Sequence, residues 1–287
     1  MDGYETYPTE DGSLTCRDHK TGELYHNRAG AFLEALMNYS MPADLLGRNK
    51  GKSEFALLDA CFGLGYNTWV FLQELLESGL DSKKISVVGV ENDETVLSLI
   101  PTILNQNHFQ RLRQTMACSV APIKSFGYWT FPLDGMDVDF SIRQADLRSD
   151  ISQLSGDFDL VFHDPFSPSK MPELWTADIF AAYKNLLTKR RGAILTYSAA
   201  CSVRGALKEL GFFVYRTSSV GGKRGGTIAS LSPLESSSSV FDLTNHELLR
   251  IGGPDGVPWR DPGLCSTRDE IIERRSKEQY SMQRSAR

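Results

Sequence analysis

The sequence predicts an α/β fold: a Rossmann-like, doubly wound sheet of seven mostly parallel strands that ends in a C-terminal antiparallel hairpin, with additions at both ends of the chain. Three observations predict it. Phe55-Ala-Leu-Leu-Asp59 is an apolar run of strand length that passes through Gly63 and Gly65 into residues 68–76, where apolar side chains recur at helical spacing. Lys84-Ile-Ser-Val-Val-Gly-Val-Glu91 is a second uninterrupted β-rich run, and the runs at 137–142, 158–163 and 192–197 alternate with helical segments, as parallel crossovers require. Residues 212–217 and 226–231 read as a strand pair folded about a glycine-rich tip at 221–226.

The length of 287 residues and ordinary apolar content suffice for one large α/β domain with terminal additions. A formal charge of −5 argues against a chain coated in positive charge but leaves room for a local basic patch. The five cysteines, Cys16, Cys61, Cys118, Cys201 and Cys265, are scattered, with neither a Cys-x-x-Cys pair nor metal-ligand spacing. They read as reduced thiols, and no metal is expected. The start, Met1-Asp-Gly-Tyr, has no basic or apolar leader, and nowhere do about 18 apolar residues run together. A cytoplasmic protein without a membrane partner is expected.

In chain order, residues 1–24 are polar and turn-rich, with Asp11-Gly12 and Thr21-Gly22 signalling a short hairpin or an ordered arm. Tyr25-His26 precede a helix-period segment at 31–39 that runs towards the first core strand, so Tyr25, His26 and Glu34 are candidates to face a ligand or to be structural. The turn at Gly63 and Gly65 lets a nucleotide-like ligand approach the helix start. A dinucleotide fingerprint would carry a third glycine where Thr68 stands. Asp59, four residues before Gly63, would repel a pyrophosphate and suit a cationic ligand such as S-adenosylmethionine (SAM). Glu91 closes the second strand where a carboxylate commonly meets ribose hydroxyls. Residues 93–142 show no clean period apart from a helix over 95–104 crossed by Pro101 and a third strand at 137–142. Asp146, with Leu147 beside it, is either an adenine ligand or a helix N-cap.

The second informative stretch runs from Phe158 to Trp175, where a buried strand ends at His163 and Asp164-Pro165-Phe166 follows at the carboxyl edge of the sheet. It is similar to the Asp/Asn-Pro-Pro-Tyr/Phe loop of amino-group methyltransferases, with one proline fewer. Methyl transfer to an amine is an in-line displacement that needs a neutral lone pair about 3 Å from the methyl. A carboxylate and a proline-fixed carbonyl accept the amine's hydrogens and aim that lone pair. Asp164 is then the catalytic orienter and Phe166 a stacking platform. The Lys223-Arg224 tip suits phosphate contacts or is a solvated turn, and residues 266–284 read as a charged helix with a solvated face.

Taken together, these residues resemble the methyltransferase domain of the MnmC proteins, in the stand-alone form without the fused flavin-dependent oxidase. The matching pieces are Glu23-Leu-Tyr-His-Asn-Arg-Ala-Gly-Ala31, Phe62-Gly-Leu-Gly-Tyr-Asn67, Asp164-Pro-Phe-Ser-Pro-Ser-Lys-Met-Pro-Glu-Leu-Trp175, Ser198-Ala-Ala-Cys-Ser-Val-Arg-Gly-Ala-Leu207, Gly211-Phe212 and Gly222-Lys-Arg-Gly225. The resemblance implies a SAM-dependent methyltransferase fold and N-methylation of the 5-aminomethyl group of a tRNA wobble uridine, with the anticodon stem-loop as partner. Carried over by position, Phe62, Gly63, Gly65, Asn67, Glu91, Asp146 and Leu147 would hold SAM, with Tyr25, His26 and Glu34 beside it. Asp164 would meet both the methyl and the amine, and Lys170, Trp175, Lys223 and Arg224 would face tRNA. Phe-Gly-Leu-Gly and His-Asp-Pro-Phe stand where the fused enzymes have Phe-Gly-Thr-Gly and Asp-Gly-Phe. The chain divides into an arm and helix covering the cofactor site (1–44), the methyltransferase domain (45–235) and an extension packed on it (236–287). Two alternatives stay open: a SAM-type transferase acting on a small, polyamine-like amine, and a non-catalytic SAM- or RNA-binding module.

Overall fold

The computed structural model describes residues 4–18, 22–44, 53–78, 83–116, 123–189, 191–219 and 225–285. Lys223, Arg224 and Cys118 lie outside the described residues.

The polar arm is a hairpin, β1 (Thr6–Pro8) against β2 (Leu14–Cys16). Asp11 at its turn accepts hydrogen bonds from the backbone N–H groups of Ser13 and Leu33, each at 2.9 Å, which docks the arm on the first turn of helix α1 (Ala31–Ala35). That helix continues through a π turn at Leu36–Ser40 into Met41–Asp44. The extra residue in the turn rotates Asn38, Tyr39 and Ser40 inward, and all three are buried.

The core begins with β3 (Glu54–Ala60), α2 (Tyr66–Ser78) and β4 (Lys84–Glu91). It continues with β5 (Gly127–Leu133), β6 (Met136–Gln144), β7 (Leu160–His163), α3 (Ala177–Leu186) and β8 (Ala193–Thr196). The chain closes with α4 (Cys201–Glu209), β9 (Phe213–Thr217), β10 (Thr227–Ser230), β11 (Val240–Asp242) and α5 (Arg268–Ser285). Strands β3 to β11 form one sheet in the order β11-β9-β10-β8-β7-β3-β4-β6-β5. The central β6, β4, β3, β7 and β8 are parallel, while β5 on one side and β10, β9 and β11 on the other are antiparallel.

The α/β class, the parallel centre and the β9–β10 hairpin agree with the expectation, but among the described residues the main sheet has nine strands, not seven. The two extra strands are edges. In β5, Pro132 is tolerated because an edge strand has no second neighbour to donate to. Asp134 and Gly135, both at positive φ (49° and 85°), make the tight turn from β5 into β6. Strand β11 has three residues and pairs with β9 alone, inside a stretch that reads as merely polar. The helix expected over 95–104 is two, Glu94–Leu97 and Ile100–Leu104, with Pro101 in the first turn of the second.

Alternation along β3 builds the two core layers. Phe55 and Leu57 pack with Tyr39, Trp69 and other residues on the α1 and α2 side, whereas Leu58 and Ala60 pack with Ile179, Phe180 and Val203 on the α3 and α4 side. Trp69 stacks on Phe140 of β6 with centroids 5.1 Å apart. The carboxyl ends of all five parallel strands therefore open on one edge of the sheet, between the arm and the loop that follows β7.

Candidate active site

The turn after β3 forms the floor. Cys61 and Gly63 hold left-handed backbone at φ 64° and 54°, and a Cβ at Gly63 would come 3.1 Å from the Tyr25 ring. The Gly63 N–H donates to Glu91 Oε2 at 2.8 Å, and Glu91 Oε1 accepts from the N–H groups of Asn92 (2.8 Å) and Asp93 (3.0 Å). Burial pushes the Glu91 carboxyl upward despite these three donors. Glu91 thus fastens the β3 and β4 loops together while facing the cleft between them.

At the end of β7, Asp164 receives a 2.7 Å hydrogen bond from Asn67 Nδ2. The Tyr39 hydroxyl bonds the same carboxylate, lies 3.4 Å from the His163 carbonyl and accepts from the Tyr197 N–H at 3.1 Å. The Tyr197 hydroxyl donates to the Pro165 carbonyl at 3.0 Å, and the Trp175 indole N–H donates to the Phe166 carbonyl at 2.8 Å. Burial raises the Asp164 pKa to about 6, the Asn67 and Tyr39 bonds pulling the other way. The Asp-Pro-Phe loop is therefore held at every residue.

One cleft of about 1010 Å³ contains most of the candidates. Phe62, Gly63 and Glu91 line its floor, Asp146 and Leu147 one wall, and Asp164, Phe166 and Lys170 the other. Tyr25, His26 and Glu34 close it from the arm and α1. Tyr25 meets Phe166 edge to face at 5.1 Å. His26 is buried and pushed down to about 4 by that burial, so it is neutral at physiological pH, and its Nδ1 has no hydrogen-bond partner among the described residues. Glu34 accepts from the Asn27 N–H at 2.7 Å. Asp146 caps the helical turn Leu147–Asp150 through the Arg148 N–H, as the N-cap reading expects, and is also exposed to the cleft.

Four expectations are corrected. Gly65 is not on the cleft wall: a Cβ there would overlap the Phe62 and Trp69 rings, so this glycine serves helix-to-sheet packing. Asn67 acts one layer back, through Asp164. Trp175 is fully buried and anchors the loop from below, where no tRNA can touch it. Asp59 does not meet the ligand space either. It is fully buried and accepts from the Thr68 hydroxyl at 2.6 Å, tying β3 to the start of α2. The expected cation at Lys223-Arg224 lies outside the described residues.

Several residues escaped the sequence reading. Tyr197 directly follows β8, so its position at a parallel strand's carboxyl end was a usable signal. Glu23, which accepts from the Ser167 Oγ at 2.9 Å, opens a family-like segment. Tyr39 had no signal, because the π turn that aims it leaves no trace in the hydrophobic period. Among the described residues, no three His, Cys, Asp or Glu side chains converge as a metal site requires, and no helix is long and apolar enough to cross a membrane.

Comparison with known proteins places the chain among similar methyltransferases. Residues 108–232 match a family described as S-adenosyl-L-methionine-dependent methyltransferases. An uncharacterized protein of Methanocaldococcus jannaschii is 26% identical over 273 residues, covering 94% of this chain and 70% of that protein. The tRNA 5-methylaminomethyl-2-thiouridine biosynthesis bifunctional protein MnmC of Azoarcus sp. is 28% identical over 207 residues, 71% of this chain. The match covers 32% of that protein, so the chain spans about a third of it. The crystal structure of MNMC2 from Aquifex aeolicus matches with a TM-score of 0.75 and 28% identity, covering 98% of this chain and 86% of that one.

Proposed function

From the premise that the chain is a SAM-dependent methyltransferase related to the MnmC methyltransferase domain, we propose that it methylates the nitrogen of a 5-aminomethyl group on a tRNA wobble uridine. The product is 5-methylaminomethyl-(2-thio)uridine. One observation supports this most: a half-buried carboxylate, Asp164, held between Asn67 and Tyr39 at the carboxyl edge of the sheet, in the same cleft as Glu91.

The residues present fit SAM. The cleft holds buried or half-buried carboxylates suited to a sulfonium and an α-amino group, and the Gly63 backbone leaves a space that a side chain would fill. Glu91 would take the ribose, Asp146 and Leu147 the adenine, and neutral His26 would offer its orphan nitrogen. SAM, when bound, supplies an electrophilic methyl group. Asp164 takes up the proton that the amine gives up, and its pKa of about 6 suits a group that must be ionised at neutral pH yet still be a competent base. The Pro165 carbonyl, already accepting from Tyr197, keeps one lone pair for a second amine hydrogen. Phe166 and Tyr25 provide the ring surfaces against which a uracil would stack. In this reading residues 1–44 cover the cofactor, 45–235 form the catalytic domain, 236–287 brace it, and the protein works in the cytoplasm where tRNA matures.

The test is incubation with labelled SAM and total tRNA from cells lacking this gene, followed by nucleoside mass analysis. Label on aminomethyluridine is expected. Label absent from tRNA but present on a polyamine, which the acidic cleft would also admit, would replace this reading with the small-amine one.

A further inference from the structure

The charges around the cleft are sorted by depth. Inside, Asp18 and Glu91 are buried and Glu34 and Asp164 half-buried. The exposed charges of the cleft are one carboxylate, Asp146 on the wall, and at the mouth four cations from three separate parts of the chain: Arg17 and Arg28 on the arm, Lys170 on the loop after β7, and Arg268 at the start of α5. Among the described residues, the Arg28 and Lys170 side chains have neither a hydrogen-bond nor an ion-pair partner. Arg268 donates one N–H to the Ser169 carbonyl at 2.8 Å, and Arg17 one to the Gly22 carbonyl, which fixes both guanidinium groups while leaving further donors outward. The Lys170 loop is held from both sides, by Arg268 through Ser169 and by Glu23 through Ser167.

We infer that this mouth is a phosphodiester-binding surface, on which Arg17, Arg28, Lys170 and Arg268 grip an RNA backbone while one unstacked nucleoside enters the acidic interior. The inference rests on the RNA substrate proposed above and assigns its docking surface. An acidic interior alone would repel a polyanion, and the chain carries a formal charge of −5. A basic rim over that interior resolves the conflict, because cations on the rim attract phosphates while the carboxylates below meet only a cationic cofactor and an amine. The arm and α5, which are additions to the parallel core, thereby acquire a shared task.

The experiment uses the full chain and an in vitro transcribed, fluorescently labelled tRNA, with affinity read by anisotropy across a salt series. Arg28→Glu combined with Lys170→Glu breaks no internal bond. Lys83→Glu combined with Lys84→Glu, at the start of β4 on the opposite edge of the sheet, is the charge-matched control. The mouth variant is expected to bind tRNA at least about tenfold more weakly near 0.1 M salt, with a salt slope shallower by about 1.5, as for two lost phosphate contacts. Its SAM affinity should match wild type, and the control should keep its tRNA affinity. A mouth variant within about twofold of wild type, or a control that loses as much, overturns the surface. Wild type that binds the transcript but leaves tRNA bearing aminomethyluridine unmethylated contradicts the proposed reaction and leaves the surface standing; wild type that fails to bind tRNA overturns both.

Discussion

The proposed reaction concentrates its chemistry in one carboxyl group, that of Asp164, whose environment makes it costly. Burial raises its pKa from 3.8 to about 6, so between these values the folded chain holds a proton that the unfolded chain has released. Above pH 6 the fold carries the charge against that burial. Asp164→Asn should therefore cut methyl transfer by about 10²–10⁴-fold while leaving thermal stability at pH 7.5 unchanged or raised, by about 3 kcal/mol at most. A melting curve and a turnover assay on one preparation check both halves. In wild type, kcat/KM should rise with pH through about 6 and then level, since the ionised carboxylate is the working form. Residue types at strand ends made Asp164, Glu91 and Gly63 legible in the sequence. The same letters did not reveal depth: Asn67 and Trp175 stand in the right motifs but act from behind the loop they were expected to line.

Among the elements, α4 shows what a motif can mean besides a site. Its Arg204 is buried and donates to Thr227 Oγ1 (2.9 Å), the Gly226 carbonyl (3.1 Å) and Glu247 (2.7 Å), so the family-like segment at 198–207 ties β10 and the helix Asn245–Ile251 to the core. Gly205, beside it, lets α4 touch the backbone at Gly256, whose carbonyl oxygen would overlap an added Cβ. Gly205→Ala should cost about 2–4 kcal/mol through forced separation of these backbones, read as a lowered denaturant midpoint; an unchanged midpoint would mean that the contact is loose. For Glu247, burial alone would raise the pKa, but the Thr244 N–H and hydroxyl and the Arg204 guanidinium together lower it to about 2. Its contribution is present above about pH 4.5 and fades as pH falls towards 2. Glu247→Gln should therefore cost about 2 kcal/mol at pH 7 and progressively less in acid, which urea titrations at several pH values will show. Continuous apolar runs made β3, β4 and β7 legible close to their ends. Strand β5 was not, because an edge strand is wet on one face and Pro132 argues against a strand, although Asp134-Gly135 was a turn signal that could have been read.

At the scale of the molecule, a parallel sheet brings five loops to one edge, and the arm, the β7 loop and α5 then enclose a cleft that is acidic within and basic at its mouth. The class of fold and the place of the cleft followed from the strand pattern, since a doubly wound sheet has only one edge for its ligands. The charge sorting did not, because it joins Arg17, Arg28, Lys170 and Arg268 across most of the chain's length, and the overall charge of −5 conceals it. The central claim is that this cleft methylates an amine on tRNA through Asp164. The most direct measurement compares wild type and Asp164→Asn for transfer of labelled methyl groups into tRNA bearing aminomethyluridine, with SAM binding measured on both proteins by calorimetry. Wild type should yield labelled methylaminomethyluridine and the variant almost none, with comparable SAM binding by both. Equal labelling by the two proteins, or wild type that binds SAM and leaves such tRNA unlabelled, would contradict it.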